Sequence, residues 1–315
     1  MWLRILGLLL ILLALALSLT RAPDLPVESL VARWAPPPSE FIDLRGQIVH
    51  LRDEGPRSDR EPIVLLHGTS SSLHTWEGWV KALKTERRVV TLDMPGFGLT
   101  GPFTGSYAAD DYRGDTLARF VIDVLDHLQL QRVVIGGNSL GGEIAWRVAS
   151  LAPERVSKLV LVDASGLPFQ PESIPLGFRI ARIPILNRAG EYWLPKSLIA
   201  QGLRNTYGDP ARVSSTLIDR YYELTLREGN RRALGLRVQQ LSMGEDAARV
   251  DALKLPTLIL WGGRDRLVPP SVAQDFQRRI AGSQLVLYPE LGHLPHEEDP
   301  GQTLTALRGF LSAPP

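Results

Sequence analysis

The sequence predicts an α/β fold: a mostly parallel sheet flanked by helices, with a helical cap inserted late in the chain. Three observations predict it. Short β-rich apolar runs alternate with amphipathic segments from Ile63 onward. A glycine-rich turn around Ser139 joins one of these runs to a helix. The interval between the runs that end at Val162 and begin at Thr257 is too long for a single crossover, so it must hold further structure.

Residues 1–20 precede the predicted fold. Arg4 is followed by an apolar run, Ile5 to Leu19, that only Ser18 interrupts. This pattern is typical of a signal peptide, and the run is nearly long enough for a membrane anchor. Positive charge ahead of the run keeps the N-terminus in the cytoplasm. We therefore expect the body to be exported, either membrane-anchored through residues 1–20 or, if these are cleaved, secreted or periplasmic.

Residues 21–40 are predicted to form a proline-containing linker. Within it, Val27, Leu30, Val31 and Trp34 fall at helical spacing and give a short helix one apolar face. That face either packs on the folded body or lies on a membrane surface.

Residues 41–166 and 250–315 are predicted to form the α/β body. It begins with a hairpin, Phe41–Leu44 and Gln47–Leu51. The remaining strands are short apolar runs separated by helical segments: Ile63–His67, Arg88–Leu92, Arg132–Gly136, Lys158–Val162, Thr257–Trp261 and Gln284–Leu287. In such sheets ligands bind beyond the carboxyl ends of the strands, so the site is expected on the loops there.

Residues 167–249 are predicted to form the cap over this site. Its amphipathic stretches are Pro175–Ile183, Leu194–Asn205, Thr216–Leu226 and Arg231–Leu241. Most of the cap's aromatic side chains should pack inside it, and a few should face the site: Phe169, Phe178, Tyr192, Trp193, Tyr207, Tyr221 and Tyr222.

The turn Gly137–Gly141 carries the clearest chemical signal. It places Ser139 between two spaced glycines, after a strand and before a helix, as in a nucleophile elbow. Such a turn pushes the hydroxyl out of the sheet at a helix N-terminus, where the dipole favours developing negative charge. Ser139 is therefore the candidate nucleophile.

A serine nucleophile needs a general base and an orienting carboxylate. Two of the six histidines, His293 and His296, follow the last predicted strand. We predict His293 as the base because Gly292 permits a sharp loop before it, and His296 is the alternative. Asp265, just past a strand end, is the predicted acid. Asp163 is the alternative acid, although a structural hydrogen-bonding role suits it better.

Backbone N–H groups should stabilise the oxyanion. The predicted donors are Leu140, directly after the nucleophile, and Thr69, in the loop after the strand that begins at Ile63. Along the chain the order is oxyanion loop, Ser139, Asp265 and His293, with each element at the carboxyl end of a strand.

With these motifs the chain resembles the α/β-hydrolase family, specifically its esterase/lipase-like members with a helical cap. The resemblance runs from about Phe41 to Leu311 and is carried by His67–Gly68, Asp93–Gly98, Gly137–Gly142, Asp265 and Gly292–His293. It implies the α/β-hydrolase fold and assigns the same roles to the five candidate residues. It also implies cleavage of a small-molecule carboxylic ester through an acyl-enzyme on Ser139.

Two other activities stay open. Asn138–Gly141 resembles the elbow of carbon–carbon bond hydrolases that cleave ring-fission products. Their substrate carries a carboxylate, which would require a basic pocket residue such as Arg179 or Arg182 of the cap. Both arginines lie off the apolar stripe of Leu176, Ile180 and Ile183, which favours a solvent-exposed face for them. A ligand-binding protein of the same fold without turnover is the third reading. Relatives that open epoxides or displace halide carry Asp where this chain has Ser139, which argues against those activities.

Composition excludes several function classes. The net charge of +1 gives no reason to expect a nucleic-acid partner. The chain has no cysteine, so disulfides and thiolate metal sites are excluded. The histidines lack the spacing of metal ligands. We therefore expect no metal and no cofactor.

Overall fold

The computed structural model describes residues 2–19, 21–107, 110–174, 176–181, 183, 190–241 and 244–313. The described part centres on an eight-stranded sheet with the order β1-β2-β4-β3-β5-β6-β7-β8. The strands are β1 Ser39–Leu44, β2 Gln47–Glu54, β3 Ile63–Leu66, β4 Val89–Leu92, β5 Val133–Asn138, β6 Val156–Val162, β7 Thr257–Gly262 and β8 Gln284–Tyr288. β2 pairs antiparallel with β1 and β4, and the remaining pairs are parallel. The predicted α/β architecture is confirmed.

The described helices fall before, between and after these strands. They are α1 Trp2–Leu19, α2 Val27–Trp34, α3 Glu77–Leu83, α4 Gly114–His127, α5 Leu140–Leu151, α6 Leu176–Ala181, α7 Lys196–Thr206, α8 Ser215–Thr225, α9 Asn230–Gln239, α10 Ala247–Asp251, α11 Pro270–Arg279, α12 Pro295–Glu298 and α13 Pro300–Ser312.

Helices cover both faces of the sheet. On one face α4, α5 and α11 pack against it, and Trp146 and Phe276 lie in that cluster. On the other face α3 and α13 contribute Trp79 and Phe310 to a second cluster. β5 is buried along its whole length. Because these strands are buried on both faces of the sheet, their sequences are continuously apolar and do not alternate between apolar and polar residues.

The segment between β6 and β7 carries helices α6 to α9, at the positions of the predicted amphipathic stretches. Its own apolar cluster includes Leu203, Ile218 and Tyr221 and also takes in Leu294 from the body. The short helix α10 was not predicted. Val250 of α10 belongs to the same apolar cluster as Trp146 and Phe276, so the chain rejoins the body at this helix.

The N-terminal segment, defined as residues 21–35, packs on the fold. Leu30 and Trp34 of α2 are buried against Leu99 of the body and Leu224 of α8. Of the two alternatives for the apolar face of α2, packing is therefore the one observed. The large apolar side chains of α1 that the structure describes, from Trp2 to Leu15, are exposed. Within the described residues, no helix combines the length and apolar content needed to cross a bilayer.

Candidate active site

Ser139 occupies a strained turn between β5 and α5. Its backbone has φ 54° and ψ −116°, which is unusual for a residue with a side chain. The glycines around it are required by close approach. A Cβ on Gly137 would lie 2.2 Å from the Gly141 carbonyl carbon, and one on Gly141 would lie 2.1 Å from the Leu66 carbonyl oxygen. The elbow geometry predicted from the sequence is present.

Asp265 and His293 meet on the loops that follow β7 and β8. His293 Nδ1 lies 2.7 Å from Asp265 Oδ2. The other carboxylate oxygen, Oδ1, accepts from the backbone N–H groups of Leu267 and Val268 at 2.8 and 2.9 Å. These bonds fix the carboxylate, which then orients the imidazole with Nδ1 as donor and leaves Nε2 to act as a base.

The backbone of His293 is tied to the elbow and to the end of helix α7. Asn138, which precedes Ser139, donates its amide Nδ2 to the His293 carbonyl at 2.9 Å. The His293 N–H donates to the Thr206 carbonyl at 2.7 Å. The histidine loop is therefore anchored on the residue that adjoins the nucleophile.

Ser139 and His293 both line one cavity of about 400 Å³. No hydrogen bond joins the serine hydroxyl to the imidazole among the described residues; contacts of this kind often tighten only when substrate is bound. The other lining residues come from the loops after the strands and from helices α6 to α9, and most are apolar. A pocket of this size and character suits a small organic ligand.

Thr69 and Leu140, the predicted oxyanion donors, line the same cavity. Leu140 is the first residue of α5, so its N–H has no partner within the helix. The Thr69 loop is held by His67, whose Nε2 accepts from the Met94 N–H at 2.9 Å and whose Nδ1 lies 2.7 Å from the Gly68 carbonyl oxygen. Burial lowers the pKa of His67. A neutral histidine whose two ring nitrogens both have hydrogen-bond partners has a structural role.

His296, the alternative base, lies in the core. Its ring centroid is 4.0 Å from that of Trp76, and its Nε2 is 2.9 Å from Thr75 Oγ1. Burial, followed by the charge of His293, holds its pKa well below the usual value. The structure therefore places His293, and not His296, beside the candidate acid and the cavity.

Asp163, the alternative acid, lies next to Asp265 and is fully buried. Ligand-type atoms of Asp163, Asp265 and His293 lie within 4.8 Å of one another. Burial, and then the charge of Asp265, raise the pKa of Asp163 well above its usual value. Asp163 Oδ1 accepts from the Gly262 N–H at 3.0 Å. A neutral Asp163 carboxyl keeps its proton and can donate a hydrogen bond to the Asp265 carboxylate, which would support that carboxylate rather than compete with it.

Several aromatic side chains of the segment between β6 and β7 face the cavity, as predicted. Phe169, Trp193 and Tyr221 line it. Tyr207 is buried in the packed cluster of that segment, and Tyr192 is 62% exposed.

Of the two basic residues suggested for the cavity, one is described by the structure and lies elsewhere. Arg179 is exposed and does not line it, and Arg182 lies outside the described residues. Arg231 and Arg237 of α9 line it instead. A sequence signal existed for Arg231, because it shares a helical stripe with Leu234, Val238 and Leu241. All three of these leucine and valine side chains belong to residues that line the cavity.

Comparisons with known proteins agree with this architecture. The model of the alpha/beta hydrolase family matches residues 63–307. A dihydrolipoyllysine-residue acetyltransferase component of the acetoin cleaving system from Pseudomonas putida is 30% identical over 256 residues, which is 79% of this chain and 63% of that protein. The 2-hydroxymuconate semialdehyde hydrolase of Pseudomonas sp. strain CF600 is 26% identical over 265 residues, which is 80% of this chain and 87% of that one.

A solved structure shares the fold. The putative lipase from Acinetobacter baumannii AYE superposes with a TM-score of 0.75 at 23% identity, covering 92% of this chain and 97% of that one.

Proposed function

We propose that this chain, which belongs to the alpha/beta hydrolase family, is a serine hydrolase that cleaves carboxylic esters through an acyl-enzyme on Ser139. One observation carries the proposal. His293, hydrogen-bonded to Asp265, lines the same mostly apolar cavity as Ser139, whose backbone is strained at the N-terminus of α5. A nucleophile, a base and an orienting acid in this arrangement are the requirements of acyl transfer.

The reaction uses each group in turn. His293 takes the proton of the Ser139 hydroxyl as its oxygen attacks the ester carbonyl, and Asp265 stabilises the resulting imidazolium. The N–H groups of Thr69 and Leu140 hold the oxyanion. The imidazolium gives its proton to the leaving alcohol, which departs. Water, deprotonated by His293, then attacks the acyl-enzyme and releases the acid and free Ser139.

The cavity favours an uncharged acyl group of small to medium size. Its wall is apolar over most of its extent, with Leu203, Leu234, Val238 and Leu241 among the contributors. Burial of alkyl surface against such a wall contributes about 0.8 kcal/mol per methylene group. Activity should therefore rise with acyl length until the cavity is filled.

A carbon–carbon bond hydrolase is the second candidate, and one observation favours it. Arg237 is almost fully buried, lines the cavity, and donates through Nη2 to Glu143 at 2.9 Å, while its Nε has no partner among the described residues. A guanidinium with unused donors suits the carboxylate of a vinylogous keto acid. The name of the Pseudomonas relative, a semialdehyde hydrolase, points the same way.

A panel of p-nitrophenyl esters of increasing chain length, run beside a ring-fission product and the Ser139→Ala variant, tests the proposal. We expect ester turnover that exceeds turnover of the ring-fission product and disappears in Ser139→Ala. Dominant turnover of the ring-fission product would favour the second candidate. Binding without turnover in both proteins would indicate a ligand-binding protein.

We also propose that the body is exported and that residues 1–20 contact a membrane if they are not cleaved. The support is the apolar sequence of α1 and the exposure of those of its large side chains that the structure describes. Protease accessibility in intact cells and spheroplasts tests this, because a body that is digested only after lysis of the cytoplasmic membrane would contradict export.

A further inference from the structure

Two buried arginines line the mostly apolar cavity, and each is paired with a carboxylate. Arg237 pairs with Glu143 of α5. Arg231 pairs with Asp24, which belongs to the N-terminal segment and lies outside the region matched by the family. The second pair therefore supplies a lining arginine with a counter-ion, Asp24, that does not itself line the cavity and does not come from the catalytic body.

The contacts of Arg231 and Asp24 are specific. Arg231 Nε donates to Asp24 Oδ1 at 3.1 Å, and its Nη2 donates to the same oxygen. Its Nη1 donates to the Gly190 carbonyl at 3.3 Å. The second oxygen of Asp24 accepts from the Gly229 N–H at 3.3 Å. The Arg231 side chain is only 6% exposed, whereas that of Asp24 is 38% exposed. The carboxylate thus caps the guanidinium from the solvent side.

The rest of the N-terminal segment holds Asp24 in place. The Ala22 N–H donates to the Tyr192 carbonyl, and the Leu25 N–H donates to the Leu226 carbonyl, at 3.1 and 2.7 Å. The Glu228 N–H donates to the Leu25 carbonyl at 2.9 Å. Backbone bonds therefore flank Asp24 on both sides, and its position against Arg231 does not depend on the ion pair alone.

We propose that Asp24 sets the charge selectivity of the cavity: by neutralising Arg231 it makes the pocket select uncharged acyl chains over chains that end in a carboxylate. This inference rests on the proposed ester hydrolysis for its kinetic test. A guanidinium is always charged, and a buried charge without a partner strongly favours an anion. In the wild type the Asp24 carboxylate, on the solvent side of Arg231, already supplies the counter-charge. Without its charge, the terminal carboxylate of a substrate becomes the available counter-ion.

The Asp24→Asn variant tests this, because it keeps an oxygen acceptor for Arg231 and removes only the charge. The substrates are p-nitrophenyl hexanoate and mono-p-nitrophenyl adipate, in which a carboxylate replaces the terminal methyl group. We expect the wild type to prefer the hexanoate. In Asp24→Asn, the ratio of kcat/KM for adipate to that for hexanoate should rise by about tenfold or more, the range of one charge-assisted hydrogen bond.

Asp219→Asn is the matched control. Asp219 on α8 also ties the N-terminal segment to the same set of helices, through Arg33 at 3.0 Å, but it is not among the described residues that line the cavity. It should leave the ratio unchanged. The double variant Asp24→Asn with Arg231→Gln should return the ratio to the wild-type value, which a general loosening of the fold would not do.

A binding measurement separates this inference from the proposed reaction. In the Ser139→Ala background, calorimetry compares hexanamide with adipamic acid, its carboxylate-bearing derivative. Asp24→Asn should strengthen binding of adipamic acid relative to hexanamide by about tenfold, whether or not the enzyme turns over esters. An unchanged relative affinity in a folded variant, or an equal shift in Asp219→Asn, would overturn the inference and leave the proposed hydrolysis intact.

Discussion

His293 Nδ1 and Asp265 Oδ2 lie 2.7 Å apart although 28 positions separate the two residues in sequence. The bond sets which nitrogen of the imidazole faces the cavity. In Asp265→Asn, an amide can take the place of the carboxylate but favours the wrong imidazole tautomer. We expect kcat for ester hydrolysis to fall by about 10⁴-fold with little change in KM. Steady-state kinetics check this, and a loss of less than tenfold would mean that another group orients the base.

Asp163→Asn is the companion variant. The neutral Asp163 carboxyl acts as a donor to Asp265, and an asparagine amide can make the same donation. Most of the activity should therefore remain. If Asp163→Asn were as inactive as Asp265→Asn, Asp163 would have a direct role in the reaction.

The pH dependence of stability should also respond to Asp163. Burial and the charge of Asp265 raise its pKa in the folded state above the value of about 3.9 expected when unfolded. Between these two values the folded state binds more protons, so the contribution of Asp163 to stability falls as pH rises. Asp163→Asn should remove that decline. Melting temperatures from pH 4 to 8 check it: the variant should gain on the wild type toward high pH, and parallel curves would contradict the assignment.

The elbow should not tolerate a methyl group at Gly141. A Cβ there would lie 2.1 and 2.5 Å from the oxygen and carbon of the Leu66 carbonyl, which is backbone and cannot move aside. We expect Gly141→Ala to cost about 3 kcal/mol or more in the free energy of unfolding. Gly309 in α13 is the control, because a Cβ there meets no atom within 4 Å. Gly309→Ala should stabilise the protein by about 0.5–1 kcal/mol. Denaturant titration measures both, and a Gly141→Ala protein as stable as the wild type would contradict this reading of the elbow.

The stability of the fold should fall in acid through His74, which contacts the N-terminal segment. His74 Nε2 lies 2.7 Å from the Trp34 carbonyl oxygen, and burial lowers the pKa of His74 to about 3. Since the unfolded chain protonates this histidine near pH 6.5, stability is lost as pH falls from there toward 3, by up to about 1.4 kcal/mol per unit. His74→Gln keeps a donor for the Trp34 carbonyl but does not titrate. It should flatten the decline between pH 6 and 4, and an unaltered slope would rule this source out.

The sequence predicted the sheet because its signals are local. The apolar runs at β3, β5 and β7 and the glycine spacing around Ser139 require no knowledge of distant residues. The meeting of Asp265 with His293 followed from one rule, that carboxyl ends of parallel strands lie at the same edge of the sheet.

The remaining features depend on contacts between distant segments. Nothing in the sequence near Asp24 indicates that it pairs with Arg231, 207 positions away. Arg179 was a candidate because it is basic and lies in the predicted cap, but its position off the apolar stripe favoured solvent, and its side chain is exposed. Which face of a short amphipathic helix meets a cavity is decided by packing against its neighbours. Gly292 favoured His293 over His296 from the sequence, but only the packing of His296 against Trp76 shows why His296 does not reach the cavity.

The most direct test of the proposed chemistry is labelling of the folded protein with a fluorophosphonate, followed by intact-mass measurement and peptide mapping. We expect one adduct per chain, located on Ser139, with labelling abolished in Ser139→Ala and slowed strongly in His293→Ala. Folded protein that takes up no label, or takes it up at another residue with Ser139→Ala labelled as readily as the wild type, would contradict the assignment of Ser139 as the nucleophile.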